Sequence, residues 1–185
     1  MSNSEEKAQR VTVLGNRRAS NGSVQITPAE PAERISLRAR ANDVAALSKA
    51  LGVTLPQKPK HSATKGKRSA LWLGPDEWLV IDTGGQSPFA DLQGVETLHA
   101  ATDVSHRNIG IIISGEGAEA TINAGCPQDL SLSAFPVGAA SRTIFGKAEI
   151  VLWRLSETEF RLECWRSFGT YVFGLLSEGA LDAAV

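Results

Sequence analysis

The sequence predicts an α+β fold: two strand-helix-strand-strand units with largely antiparallel sheets, in the manner of ferredoxin-like domains. Three observations carry this. Apolar residues switch along the chain between a period of two and helical spacing. Tight turns at Gly74-Pro75-Asp76 and Ser156-Glu157-Thr158 each join two apolar runs, and a hairpin makes an antiparallel pair. The segments "LGPDEWLV" and "LSETEFRL" match at Leu73 with Leu155, Glu77 with Glu159 and Trp78 with Phe160, all at one constant offset, as a duplicated unit would. Such a unit is too small to bury its own sheet face, so the copies are expected to pack together or to take a helix each.

Residues 1–30 are polar and end in a pair of prolines, Pro28 and Pro31, which predicts a frayed or docking arm outside the core. The first unit, 31–100, opens with "ERISLRA", where Ile35, Leu37 and Ala39 share one strand face. In "NDVAALSKALG", Val44, Leu47 and Leu51 form a helical stripe, with Asn42 placed to cap it and Gly52 to end it. "PQKPKHSATKGKRS" predicts a solvated or partner-docking loop carrying Lys58, Lys60, Lys65, Lys67 and Arg68, and "ALWLGPDEWLVID" a hairpin. The second unit, 101–185, offers the apolar strand "NIGIIIS", the short helix "GAEATINAG" and a pair of strands within "SRTIFGKAEIVLWRLSETEFRLECW". A C-terminal helix follows in "SFGTYVFGLLSEGAL", with Ser167 as its cap and Phe168, Val172, Leu175 and Leu176 on one stripe.

Composition narrows the function. In 185 residues, 42% hydrophobic, 19 basic and 20 acidic side chains leave a formal net charge of −1, so no overall field recruits nucleic acid or an anionic membrane. The polar start "MSNSEEKAQR" lacks an apolar core and no segment reaches the length of a spanning helix, which predicts a cytoplasmic protein. Two cysteines, Cys126 and Cys164, without a C-x-x-C pair, predict free thiols and no zinc site.

The stretch "TDVSHRNIGIIISGEGAEA" concentrates the candidate chemistry. Ser105 and His106 are neighbours, so on an extended chain they face opposite ways and cannot share a proton as a catalytic pair must. Asp103 and Ser105 are instead expected to bond local backbone amides at the entry turn. "GEGAEA" matches G-x-G-x-x-A, but the βαβ context of a dinucleotide site is missing: "AGCPQDLSLSAFPVG" follows, and Asp129 ends no strand. The basic loop has no aromatic residue for stacking bases. Trp72, Trp78, Trp153 and Trp165 lie on predicted strands; if Trp78 faces the core, a period of two turns Trp72 the same way.

Taken as blocks, "LWLGPDEWLVI", Asp103-Val-Ser105-His106-Arg107, "GCPQDL" from Gly125, "RTIFGKA" from Arg142 and "RSF" from Arg166 resemble the gamma subunit of heterotetrameric sarcosine oxidase, over about residues 33–181. That family is in turn similar to the folate-binding fold of glycine-cleavage aminomethyltransferases. The resemblance implies a complex that oxidatively demethylates sarcosine to glycine and passes the one-carbon unit to tetrahydrofolate. It also implies that FAD, FMN, NAD, tetrahydrofolate and zinc lie on the alpha, beta and delta partner subunits, that this chain binds no cofactor and has no catalytic residue, and that it docks on alpha. The aminomethyltransferases carry paired aspartates where "GKAEIV" offers only Glu149, which argues against the alternative of a stand-alone folate-dependent one-carbon protein. Asp103, Ser105, His106, Arg107, Arg166, Trp72 and Trp165 are the motif or interface candidates, expected to serve structure or docking; for Arg107 and Arg166, internal salt bridges or solvated strand ends are the alternative.

Overall fold

The computed structural model describes residues 13–183. Two short strands, β1 (Ala19–Ser20) and β2 (Gln25–Pro28), come first. Then follow β3 (Glu33–Ala39), α1 (Val44–Leu51), β4 (Ser62–Lys65), β5 (Arg68–Gly74), β6 (Glu77–Asp82), the one-turn α2 (Pro88–Asp91) and β7 (His99–Asp103). The second half runs β8 (Asn108–Ser114), α3 (Ala118–Asn123), β9 (Ala140–Phe145), β10 (Ala148–Arg154), β11 (Glu159–Trp165) and α4 (Gly169–Asp182). One sheet has the order β4-β5-β6-β3-β7 and the other β1-β2-β8-β11-β10-β9, every pair antiparallel. The order β4-β5-β6-β3 recurs as β9-β10-β11-β8, with α1 and α3 at matching places in the chain, so the repeat seen in the sequence is also a repeat of topology.

Alternation explains the layers. Ile35, Leu37 and Ala39 of β3, with Trp78 and Val80 of β6, meet Val44, Leu47 and Leu51 of α1 in one core. Ile109, Ile111 and Ile113 of β8, with Phe160 and Leu162 of β11, meet Ile122 of α3 and Val172, Phe173 and Leu176 of α4 in a second. The opposite faces close on each other, Leu71, Leu79 and Ile81 packing with Ala140 and Val151 around Val104. Layers therefore run helix, sheet, sheet, helix. Strands covered on both sides read as the near-continuous apolar runs "IIIS" and "EWLVID". Each fully buried aliphatic or aromatic side chain contributes about 1.5–3 kcal/mol by leaving water.

Several expectations need correction. Residues 1–12 of the proposed arm lie outside the described residues, but 13–30 are not frayed: Leu14, Val24 and Ile26 are buried and β2 pairs with β8. The short alternation Val24-Gln25-Ile26-Thr27 is a strand signal hidden among polar neighbours. β7 belongs wholly to the first sheet through β3, so a boundary between 100 and 101 cuts a strand. The basic loop contains β4, which turns into β5 over Gly66, whose φ of +62° suits glycine. Arg68 is buried there, not solvated, because Asp82 and Asp91 hold its guanidinium at 2.9 and 2.5 Å. The stretch 141–165 makes three strands rather than two, the extra turn falling at Gly146 with φ +58°. Asn42 and Ser167 do not cap: each sits in a single 3-10 turn, Ala41–Asp43 or Arg166–Phe168, ahead of its helix. Gly52 does end α1, at φ +67°.

Candidate functional site

Between β7 and β8 the segment Asp103-Val104-Ser105-His106-Arg107 crosses from one sheet to the other. Asp103 Oδ1 accepts the Ser105 N–H at 2.8 Å, the local turn bond expected, though Asp103 is itself exposed. Val104 is buried between the sheets; its N–H donates to the Arg34 carbonyl at 3.0 Å, and its own carbonyl accepts from Arg107 and Asn108. Ser105 departs from expectation. Its hydroxyl accepts the Arg34 N–H at 2.8 Å and lies 3.1 Å from Glu33 Oε2, so it bonds an amide distant in sequence rather than a local one. Ser105 is buried and His106 exposed, which keeps serine and imidazole on different sides of the turn.

Beside this strap lies a buried ionic cluster that the sequence did not advertise. Glu163 of β11 accepts from Arg34 of β3 at 2.7 and 3.1 Å and from Arg161 Nε at 2.8 Å. Burial works to raise the Glu163 carboxyl, but the charges and hydrogen bonds of Arg161 and Arg34 together outweigh it and hold the group below its ordinary value. Gly110, paired with Glu163 across the sheet, is required by that cluster: a Cβ there would stand 2.9 Å from Glu163 Oε1, Arg161 Nη2 and Ala29 Cβ. A second cross-sheet contact joins Glu77 of β6 to Arg142 of β9, with Arg38 donating to Glu77 at 2.9 Å. Chiefly through its hydrogen bond, Arg142 holds the Glu77 carboxyl below its ordinary value, and Glu77 raises Arg142 in return. The only acid of "GKAEIV", Glu149, lies 3.8 Å from Arg142. A cavity of about 50 Å³ remains between the sheets, lined among others by Ser36, Glu77, Asn108, Arg142 and Glu163, against about 300–1,000 Å³ for an organic ligand pocket.

The glycine turn after β8 is also occupied by the chain itself. The Gly117 N–H donates to the Ser23 carbonyl at 3.0 Å, and a Cβ on Gly115 would lie 2.3 Å from that same oxygen. The backbone beside β2 thus fills the space a diphosphate would take. Cys126 and Cys164 are free and buried; burial, then the Glu163 charge, pushes the Cys164 thiol up to about 12.

At the end of β11 the Arg107 guanidinium lies 5.2 Å from the centre of the Trp165 ring, and Trp165 meets Phe168 at 6.4 Å. The Arg166 N–H donates to the Arg107 carbonyl at 2.7 Å. The fold therefore gathers Asp103, Ser105, His106, Arg107, Trp165 and Arg166 into one region. Trp72 is elsewhere: it packs with Trp78 in the helix-facing core of the first sheet, on the side the period of two predicts. Arg34, Arg161, Glu163, Glu77 and Arg142 were missed. Their signal was a polar or charged residue at every second strand position, as in Arg34-Ile35-Ser36-Leu37-Arg38, which reads equally well as a solvent face.

Comparison with known proteins completes the description. The Sarcosine oxidase, gamma subunit family matches residues 38–182. A sarcosine oxidase subunit gamma of Corynebacterium sp. (strain P-1) is 33% identical over 141 residues, 74% of this chain and 70% of that protein. Another, of Arthrobacter sp, is 36% identical over 118 residues, 61% of this chain and 57% of that protein. Among solved structures, a chain of the heterotetrameric sarcosine oxidase from Corynebacterium sp. U-96 in complex with pyrrole 2-carboxylate superposes with a TM-score of 0.83 at 26% identity, covering 90% of this chain and 89% of that one. The glycine cleavage system aminomethyltransferase T from Bartonella henselae shares the fold alone, with a TM-score of 0.63 at 12% identity over 90% of this chain and 50% of that one.

Proposed function

The chain belongs to the sarcosine oxidase gamma subunit family, and from that premise we propose that it serves as the gamma subunit of a heterotetrameric sarcosine oxidase, in a structural and assembly role. In this proposal the complex demethylates sarcosine oxidatively to glycine in the cytoplasm, with the one-carbon unit passing to tetrahydrofolate. The alpha, beta and delta subunits hold FAD, FMN, NAD, tetrahydrofolate and zinc, and gamma docks on alpha. One observation carries the structural role: in the Asp103–Arg107 strap, the block most suggestive of chemistry, the serine hydroxyl is taken up by the Arg34 amide and Glu33 of β3, which anchors the crossing between the sheets to the first of them. The buried free thiols are compatible with the proposed setting.

The test compares the isolated chain with the co-expressed complex. The chain alone is expected to show no flavin absorption after dialysis and to form no peroxide from sarcosine, while co-purifying with flavin-containing partners when they are present. A flavin spectrum surviving dialysis, or peroxide produced by this chain alone, overturns the proposal. Tight tetrahydrofolate binding by the isolated chain would instead support the stand-alone one-carbon protein.

A further inference from the structure

Building on the gamma-subunit reading, we propose that Arg107, Trp165 and Phe168 form the corner on which a partner subunit docks, through a segment presenting a carboxylate among apolar side chains. Aromatic residues make up only 6% of the chain. Trp78 is fully buried, yet Trp165 is 44%, Phe168 38% and Tyr171 42% exposed, all where β11 passes into α4. The corner is held ready, since the Arg166 N–H to Arg107 carbonyl bond locks the strap to the 3-10 turn that carries Phe168. Less ordering is then lost on binding.

The charge names the occupant. The Arg107 guanidinium rests on Trp165 and gives its Nε–H to Asn108 Oδ1 at 3.3 Å, and among the described residues it forms no ion pair. Its fork of remaining N–H groups matches the two oxygens of a carboxylate. His106 and Arg166 flank it on the surface. The nearby acids are committed, Glu77 and Glu149 to Arg142, Glu163 to Arg34 and Arg161, and Asp103 and Glu33 to Ser105, whose N–H and hydroxyl they accept. The corner thus turns positive charge and aromatic surface outward, and an acidic, apolar protein segment complements both. Single-stranded nucleic acid would need the Trp165 face for base stacking, and Arg107 lies over it. Tryptophan and arginine are also the side chains that dominate binding energy in interfaces.

The experiment co-expresses the full chain with its partner subunits and follows assembly by gel filtration and mass photometry, alongside the melting temperature of each free chain. Arg107→Ala and Trp165→Ala are each expected to weaken assembly by roughly 30-fold or more. Arg107→Lys should lose most of the same amount, because lysine lacks the fork. Leu181→Ser, at the far end of α4 and 70% exposed, should assemble like wild type. A photo-crosslinking residue in place of Phe168 should capture a partner peptide that contains Asp or Glu. Normal assembly of both alanine variants, or a crosslink to a peptide without an acid, overturns the docking surface. Should Trp165→Ala unfold, the crosslink decides. A wild-type chain that captures no partner overturns the gamma-subunit reading itself, and nucleic acid retained by wild type and lost in Arg107→Ala overturns the choice of occupant.

Discussion

β6 and β11 hold the same place in their sheets, yet the faces they turn toward each other differ. Trp78 and Val80 of β6 and Phe160 and Leu162 of β11 point to the helices and are all fully buried. On the facing side β6 offers Leu79 and Ile81, whereas β11 offers Arg161 and Glu163, buried to 6% and 2% exposure. Aliphatic contacts hold two sheets together without fixing how they sit. A carboxylate gripped by arginines from both sheets is satisfied in one arrangement only, so we assign the ionic cluster to setting sheet-on-sheet register rather than to adding stability.

Glu163→Ala is expected to have the largest effect. It strands Arg34 and Arg161 as buried charges and should cost about 3–5 kcal/mol in urea unfolding. Replacing the whole cluster, Arg34→Met with Arg161→Met and Glu163→Leu, should return stability to the wild-type level or above. A triple variant as unstable as Glu163→Ala would show that the charges themselves stabilise the pair of sheets.

Acid probes the same cluster. Glu163 and Glu77 both titrate below their ordinary value of 4.5 in the folded chain, so the folded state binds fewer protons than the unfolded one near that pH. Their contribution is complete above the unfolded value and is lost as pH falls through the folded values. The urea midpoint should therefore drop below about pH 4.5, and the triple variant should drop less. Equal loss in both would place the acid sensitivity elsewhere.

Gly110→Ala drives a methyl group into Glu163, Arg161 and Ala29 and should cost about 1–3 kcal/mol. In the triple variant part of that cost should disappear, because the Arg161 and Glu163 charged groups no longer crowd the strand. The strap holds one effect of similar size and the smallest of all. Ser105→Ala leaves the buried Arg34 amide without its partner and should cost about 1–3 kcal/mol. Asp103→Ala removes a bond at an exposed carboxylate and should cost less than about 1 kcal/mol. Thermal melts of the two variants rank them, and a larger loss for Asp103→Ala would mean that the strap is held from its exposed side.

How far the sequence was legible follows the range of the interactions. The alternation of Ile35, Leu37 and Ala39, the stripe of Val44, Leu47 and Leu51 and the glycine at 52 are properties of neighbouring residues, and each was readable as written. The side shared by Trp72 and Trp78 followed from the same period. Short strands failed where the signal is brief: β4 lies among lysines, and β2 amid polar residues, so that only pairing with β5 and β8 reveals them. Cap positions failed because a 3-10 turn was inserted before each helix.

By itself the sequence determined the α+β class, the repeated unit, the helix-facing cores and the family, because these rest on local periodicity and on blocks of residues in order. Tertiary structure alone decided what the alternate strand positions do. Arg34 and Glu163 stand 129 residues apart, and in the chain each looks like the solvent side of a half-buried strand. Stacking one sheet on the other removes both from water and makes them partners. Pairing of β7 with β3 commits Ser105 to the Arg34 amide, and the crossing to β8 leaves Arg107 beside Trp165 at the rim, a division that no spacing of residues along the chain could encode.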